Sequence, residues 1–339
     1  MTIADSEIGL LELTALTPVR PYWHPCAASD DIGERPVGVT LLGEEIVLFR
    51  SNGKIVAFSD LCVHRGTRLS LGWVTDDGCL QCPYHGWTYD NSGKCVFIPS
   101  QPADNQRIPS KARAITFRAK EQYGLVWVAL DEPEFPIPEY PEYDDPDYHT
   151  WSKYYGGWNA SPGRLCENSL DVAHLDFAHP GLLGDPDDPK SSVIQPYETR
   201  VDDRSVSTIF YKELPPAAAT FAAEGDRIRH ETRVDIPFVF TVRISSQLGE
   251  VALFFATNPI HANECGFWLF ESRNFDLDEA DDKRIAFNDL LESQDRRVIV
   301  AQRPDMVPTD LSEELHVKVA DAGAIAYRRL LQSRGIDFS

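Results

Sequence analysis

Four residues in the first third of the chain limit what it can become: Cys62-x-His64, seventeen intervening residues, then Cys82-x-x-His85. Each half of the pattern offers one thiolate and one imidazole from a single loop. Two kinds of metal centre use that donor set. A structural zinc ion takes two cysteines and two histidines in a tetrahedron. A two-iron, two-sulfide cluster takes both thiolates on one iron and both imidazoles on the other. Cys-x-His is not the usual zinc knuckle. The flanks, Cys62-Val63-His64-Arg65-Gly66 and Cys82-Pro83-Tyr84-His85-Gly86-Trp87, also set a glycine just after each histidine. Glycine lets backbone amides come close to bridging sulfides.

The glycines and the Pro-Tyr of these flanks match the fingerprint of a Rieske 2Fe–2S centre. Two neutral imidazoles in place of two thiolates raise the reduction potential, from about −400 mV in plant-type ferredoxins to about −150 mV and upward. The surrounding sequence reads as short strands with tight turns. Two β-rich runs flank Ser51-Asn52-Gly53, a hairpin signal, and Asp90-Asn91-Ser92-Gly93 is a second turn. The chain has seven cysteines, an odd number without framework spacing, so metal ligation outranks disulfides. Cys26, Cys79, Cys95, Cys166 and Cys265 read as buried thiols.

The composition then shifts. The stretch 131–148 holds five prolines and eight acids. Missing backbone donors and like-charge repulsion exclude it from a core. The expected organisation is an all-β domain over 18–130, a Pro/acid-rich linker over 131–150 and a mixed domain over 151–339. In the second half, strands are expected at 205–212, 232–246, 250–258 and 265–274, and helices at about 279–303 and 312–334. That order implies an α+β domain, an antiparallel sheet covered by helices on one side.

A second constellation lies at 164–180. Asp171-x-x-His174-x-x-x-x-His179 places Asp171 and His174 on one helical face. On a regular helix His179 would be rotated about 140° from His174. Pro180 disfavours helical geometry at His179, which lets that ring swing back. Two imidazoles and one carboxylate form the facial triad of non-haem Fe(II) oxygenases and leave positions open for O2. The downstream helix offers Asp289, Glu292 and Asp295. Asp295 shares a side with Leu291, Val298, Ile299 and Gln302, whereas Glu292 falls at the edge and Asp289 further out. A carboxylate on an apolar face is costly unless paired or metal-bound, which favours Asp295.

Together the two constellations resemble the α subunits of Rieske non-haem iron oxygenases along almost the whole chain. The resemblance implies a helix-grip fold for the catalytic domain, with Cys62, His64, Cys82 and His85 holding the cluster. It also implies a mononuclear Fe(II) on His174, His179 and Asp295, within Asp-x-x-Val-x-x-x-Gln (Asp295, Val298, Gln302). O2 is then the co-substrate, and electrons come from NAD(P)H through a separate reductase or ferredoxin. Asp171 is expected to link His85 to His174 by accepting a ring N–H from each. In the family this link crosses between subunits of a ring-shaped homotrimer. Asn168, three residues before Asp171, matches the family's Asn-x-x-Asp-x-x-His and either bonds that link or sits near the iron.

Chain length and a single subunit type resemble the monooxygenase and demethylase branch. His179-Pro180-Gly181, Ile285-Ala286-Phe287-Asn288-Asp289-Leu290 and the early YWHPC stretch are similar to methylxanthine N-demethylases. The implied reaction is hydroxylation or oxidative N- or O-demethylation of a small aromatic or heterocyclic substrate. Ring dihydroxylation is the alternative, and a pure electron carrier would not need the second constellation. The formal net charge of −21 opposes binding to nucleic acid or anionic membranes. No apolar run spans a bilayer and the N-terminus resembles no signal, so the protein is expected in the cytoplasm. One segment, 107–120, carries five basic residues and no acid. It reads either as a solvated strand face or as a place where an acidic electron donor docks.

Overall fold

The computed structural model describes residues 16–185, 187, 192–218, 221–223 and 225–338. These form two units: Arg20–Ile137, and Pro138 onward together with the residues up to Val19.

Asn52-Gly53 does turn the chain. Both residues have positive φ (51° and 78°) and join β3 (Glu44–Ser51) to β4 (Lys54–Ser59) with Ser51 opposite Lys54. This two-residue turn matches the twist of the strands it joins. Leu42-Gly43 and Tyr123-Gly124 repeat the device. They connect β2 (Val37–Leu41) to β3, and β9 (Thr116–Gln122) to β10 (Leu125–Ala129). With β1 (His24–Ala28) these strands form a six-stranded antiparallel sheet in the order β1-β10-β9-β4-β3-β2. A smaller sheet, β5-β6-β7-β8, comprises Trp73–Val74, Leu80–Gln81, Thr88–Tyr89 and Cys95–Phe97. Between the sheets Phe49 meets Phe58 edge-on at 5.1 Å, and Val47, Leu69, Leu80, Tyr89 and Ile98 complete a core that includes Cys62, Cys82 and Cys95.

The second unit is built on seven antiparallel strands: β11 (His149–Trp158), β12 (Glu198–Val201), β13 (Ser205–Glu213), β14 (Arg227–Asp235), β15 (Val239–Ser245), β16 (Glu250–His261) and β17 (Glu264–Arg273). Their order is β11-β17-β16-β15-β14-β13-β12. Among the described residues, these helices accompany the sheet: α1 (Pro162–Leu170), α2 (His174–Ala178), α3 (Asp282–Ile299) and α4 (Ala322–Ser333). This is the expected α+β, helix-grip arrangement.

Three expectations need correction. The strand expected at 232–246 is two strands, because Ile236-Pro237-Phe238 forms a tight turn that pairs Asp235 with Val239. Proline cannot continue the ladder of backbone donors. The last helix begins at Ala322 rather than 312. The residues before it are drawn into ion pairs instead: Glu314 reaches Arg164 at 2.8 Å and also bonds Arg328. Finally, the Pro/acid-rich stretch does enter a core. Tyr140 is 1% exposed, stacks on Phe254 at 4.6 Å and donates its hydroxyl to the Ser272 Oγ at 2.6 Å. Glu142 is buried against Arg243, with contacts of 2.5 and 3.0 Å. Side chains alternate across a strand, and β16 is buried on both faces. Phe254 therefore faces Tyr140, while Phe255 faces the opposite side with Phe240 and Phe267. The charges in this stretch lie between buried aromatics and do not prevent its docking.

Candidate metal centres

The Cys-x-His and Cys-x-x-His segments lie on two loops of the first unit, after β4 and between β6 and β7. Their turns are built alike. The Cys62 carbonyl accepts the Gly66 N–H at 2.9 Å, and the Cys82 carbonyl accepts the Gly86 N–H at 3.0 Å. Both glycines have positive φ, 72° and 69°. A Cβ at Gly86 would fall 2.7 Å from Pro99. The two cysteines are buried in the core, whereas His64 is half-buried and His85 exposed. The imidazoles sit 4.6 Å apart, edge to face, with Trp87 stacked on His64 at 4.5 Å and Tyr84 against His85 at 3.9 Å. The Tyr89 hydroxyl lies 3.2 Å from the Cys62 sulfur.

The donor chemistry fits a two-iron cluster. The buried Nδ1 of His64 has no hydrogen-bond partner. Burial raises the Cys82 pKa, Cys62 raises it further, and the backbone groups of Tyr84 and His85 act against them. A metal that takes up the charge of the Cys82 thiolate removes that penalty. A tetrahedral zinc ion would hold its donors within about 4 Å of one another. Among the described residues, the group of three or more donors that closes to within 4.8 Å lies elsewhere.

That closed group is His174, His179 and Asp295. Helix α1 stops at Leu170, and Asp171 is extended (φ −79°, ψ 118°). A new short helix starts at His174 and ends at Ala178, so His179 is its non-helical C-cap, with φ −118° and ψ 53°. Pro180 accounts for that departure. Asp171 and His174 thus belong to no common helix, contrary to the sequence reading. The Nδ1 of His174 meets the Asp171 backbone carbonyl at 2.7 Å, and the Nδ1 of His179 meets the Gln294 Oε1 at 2.8 Å. Each acceptor holds the proton on Nδ1 and leaves the Nε2 lone pair free. Both Nε2 atoms turn toward the Asp295 Oδ1, at 3.8 Å from His174 and 3.1 Å from His179. That oxygen is buried and lacks a partner of hydrogen-bond geometry. Two lone pairs and an orphaned carboxylate oxygen converging on one point fit a divalent iron.

Asp171 differs from expectation in one respect. Its carbonyl, not its carboxylate, receives the His174 ring. The carboxylate instead accepts the Ala173 N–H at 2.7 Å. The helix break is the cause, since it turns the Asp171 carbonyl toward the ring three residues on. Burial raises the Asp171 pKa, opposed by His174 and the Ala173 N–H.

A cavity of about 120 Å³ opens onto the triad. Trp158, Phe210, Phe221, Phe240, Phe255 and Phe267 supply much of its wall. Asn168 also lines it, and its backbone carbonyl accepts the Asp171 N–H at 3.2 Å. So does His230, stacked on Phe210 at 4.5 Å and pushed by burial, with His174 and Lys212 adding, down to a pKa of about 3. The sequence reading missed His230, whose alternation on β14 carries no chemical signal. The orientation of α3 also needs correction. Glu292, expected at the edge, lines the cavity, while Val298 and Gln302, expected inside, are exposed. Arg284, Asn288, Leu291 and Ile299 form the buried stripe. Asp289 is held outside the triad by Lys153 at 2.5 Å and Tyr155 at 2.7 Å.

The fold and the two centres define a class, and by similarity the chain belongs to it: the Rieske-type non-haem iron oxygenases. Residues 22–118 match the Rieske [2Fe-2S] domain, and residues 158–335 match the vanillate O-demethylase oxygenase C-terminal domain. Methylxanthine N1-demethylase NdmA of Pseudomonas putida is 32% identical over 327 residues, covering 93% of this chain and 88% of that protein. Methylxanthine N3-demethylase NdmB of the same species is 31% identical, covering 86% and 84%. The structure of Pseudomonas putida CBB5 NdmA with caffeine superposes with a TM-score of 0.82 at 30% identity, over 95% of this chain and 92% of that one. The protein is an oxidoreductase and a terminal oxygenase. Its cofactors are a 2Fe–2S cluster and a mononuclear iron, it uses O2, and it takes electrons from a reductase or ferredoxin.

Proposed function

We propose that the protein hydroxylates or oxidatively demethylates a small, methylated aromatic or heterocyclic substrate, with electrons that originate in NAD(P)H. The observation that carries this reading is the aromatic-walled cavity lined by His174, His179 and Asp295. Such a wall strips water from a flat substrate and leaves few polar contacts to orient it. Cys62 and Cys82 hold one iron of the cluster, and His64 and His85 the other. His174, His179 and Asp295 hold the mononuclear iron, which supplies O2 activation when bound. The Asp171 carbonyl and the Gln294 amide fix the two imidazoles, and the aromatic wall excludes water. A formaldehyde-release screen over N-methyl heterocycles and aryl methyl ethers tests the reading. No formaldehyde, together with ring-hydroxylated products, would sink demethylation.

The assembly belongs to the same proposal. The working unit is a cytoplasmic homotrimer that binds neither nucleic acid nor membrane. In it the Asp171 carboxylate relates the His174 side of the iron centre to a cluster histidine of a neighbouring subunit. Asp171 is only half-buried, and one of its oxygens is not used by Ala173. Asp171→Asn should therefore keep both metals and slow cluster-to-iron electron transfer. Oxidation of the reduced cluster at the wild-type rate by O2 plus substrate would refute the link.

A further inference from the structure

We propose that Glu292 is a specificity-determining residue: its carboxyl group receives the polar edge of an uncharged substrate and discriminates against a carboxylate. The proposal rests on the reading of the aromatic cavity as the substrate site.

Glu292 stands three residues before Asp295 on α3 and lines the same cavity. Much of the wall it shares is apolar, with Leu291, Phe221 and Phe255 in it. No hydrogen-bond or ion-pair partner meets it among the described residues. An unpaired carboxyl in such a wall costs free energy that a ligand can recover. The other polar groups of the wall are mostly spoken for. The Asn288 amide donates to Glu271 at 2.8 Å, and the Lys212 ammonium is held by buried Asp176 at 2.6 Å. Among the described residues of this wall, the buried polar atoms without a partner are the Nδ1 of His230 and the Oδ1 of Asp295, the latter assigned to the iron.

The charge pattern sets the class of ligand. Glu292 can serve such a ligand in either protonation state. As a neutral acid it donates to a carbonyl or ring nitrogen. As an anion it accepts from an N–H. Neither form offers a cation to a buried carboxylate, the lysine of this wall is already paired, and the iron that His174, His179 and Asp295 would hold has part of its charge offset by Asp295. A site built to bond a polar group rejects analogues that leave it unsatisfied. Amide- and imide-bearing rings satisfy both protonation states.

The test compares ligands that differ only in this respect. Dissociation constants of 4-methoxybenzamide and 4-methoxybenzoate are measured on the reduced, anaerobic, full-length holoenzyme. Wild type should prefer the amide by about tenfold or more, the scale of one charge-assisted hydrogen bond. Glu292→Leu should weaken the amide about tenfold without weakening the benzoate, and Glu292→Gln should retain the amide. Iron content and the cluster spectrum identify a misfolded variant. An absent amide preference in wild type, or parallel loss of both ligands in a Glu292→Leu protein that keeps its iron, overturns the proposal. Formaldehyde release is scored separately. Its absence with the amide preference intact refutes demethylation and leaves Glu292 standing.

Discussion

At the scale of residues, the two centres were unequally readable. Cys62, His64, Cys82 and His85 lie in two short loops, so spacing and flanking glycines carry nearly all the information. Asp295 is remote from its partners in sequence, and the face argument that selected it was only partly right. Leu291 and Ile299 are buried as expected, but Val298 and Gln302 point outward and Glu292 inward. Periodicity marks an apolar stripe, but it cannot show that part of that stripe faces a cavity rather than a packed neighbour. Two predictions belong here. Asp295→Ala should lose the mononuclear iron while the cluster's EPR signal persists, and metal analysis should find one iron per chain fewer. Tyr89→Phe removes a hydroxyl 3.2 Å from the Cys62 sulfur. A hydrogen bond to a cluster sulfur stabilises the reduced, more negative form. The loss of about 1 kcal/mol should lower the potential by about 40 mV in a redox titration.

Among the elements, the hairpins follow directly from their turn residues, whereas helix ends depend on distant partners. The region 312–321 looks helical in isolation. It is captured by a buried ion network that no local pattern reveals. Glu167 of α1 takes Arg164 at 2.9 Å and Arg328 of α4 at 2.6 Å, and Glu314 caps the same two guanidiniums. Both arginines are 2% exposed or less. Removing Glu167 leaves two buried guanidiniums to share the one carboxylate of Glu314. Glu167→Ala should therefore cost about 3–5 kcal/mol in denaturant unfolding. A change under about 1 kcal/mol would mean that water reaches the arginines. The same network ties α1, just ahead of the iron ligands, to the C-terminal helix, so this loss should also loosen iron binding. The basic segment 107–120 is less available than its composition implies. Arg118 pairs with Glu132, Arg113 bonds the Ser92 carbonyl, and Lys120 lies over Trp23. Lys111→Glu should leave the reductase KM within about twofold if this face is merely solvated.

For the whole molecule, the α+β plan and the two iron centres were readable because each rests on a strong local signal. The role of residues 138–148 was not. Proline and acid content describe a solvated tether, yet Tyr140 and Tyr143 pack on Phe254 and Phe270 and close one face of the catalytic sheet. Recombination between relatives turns on this detail. A chimera joined ahead of Pro138 carries its own aromatic cover with the sheet that evolved beside it. One joined after Tyr148 receives a foreign cover, and any mismatch there exposes a phenylalanine-rich surface prone to self-association. Soluble yield and melting temperature of paired chimeras should therefore fall sharply as the junction is moved across these eleven residues, although the junction never touches a metal ligand.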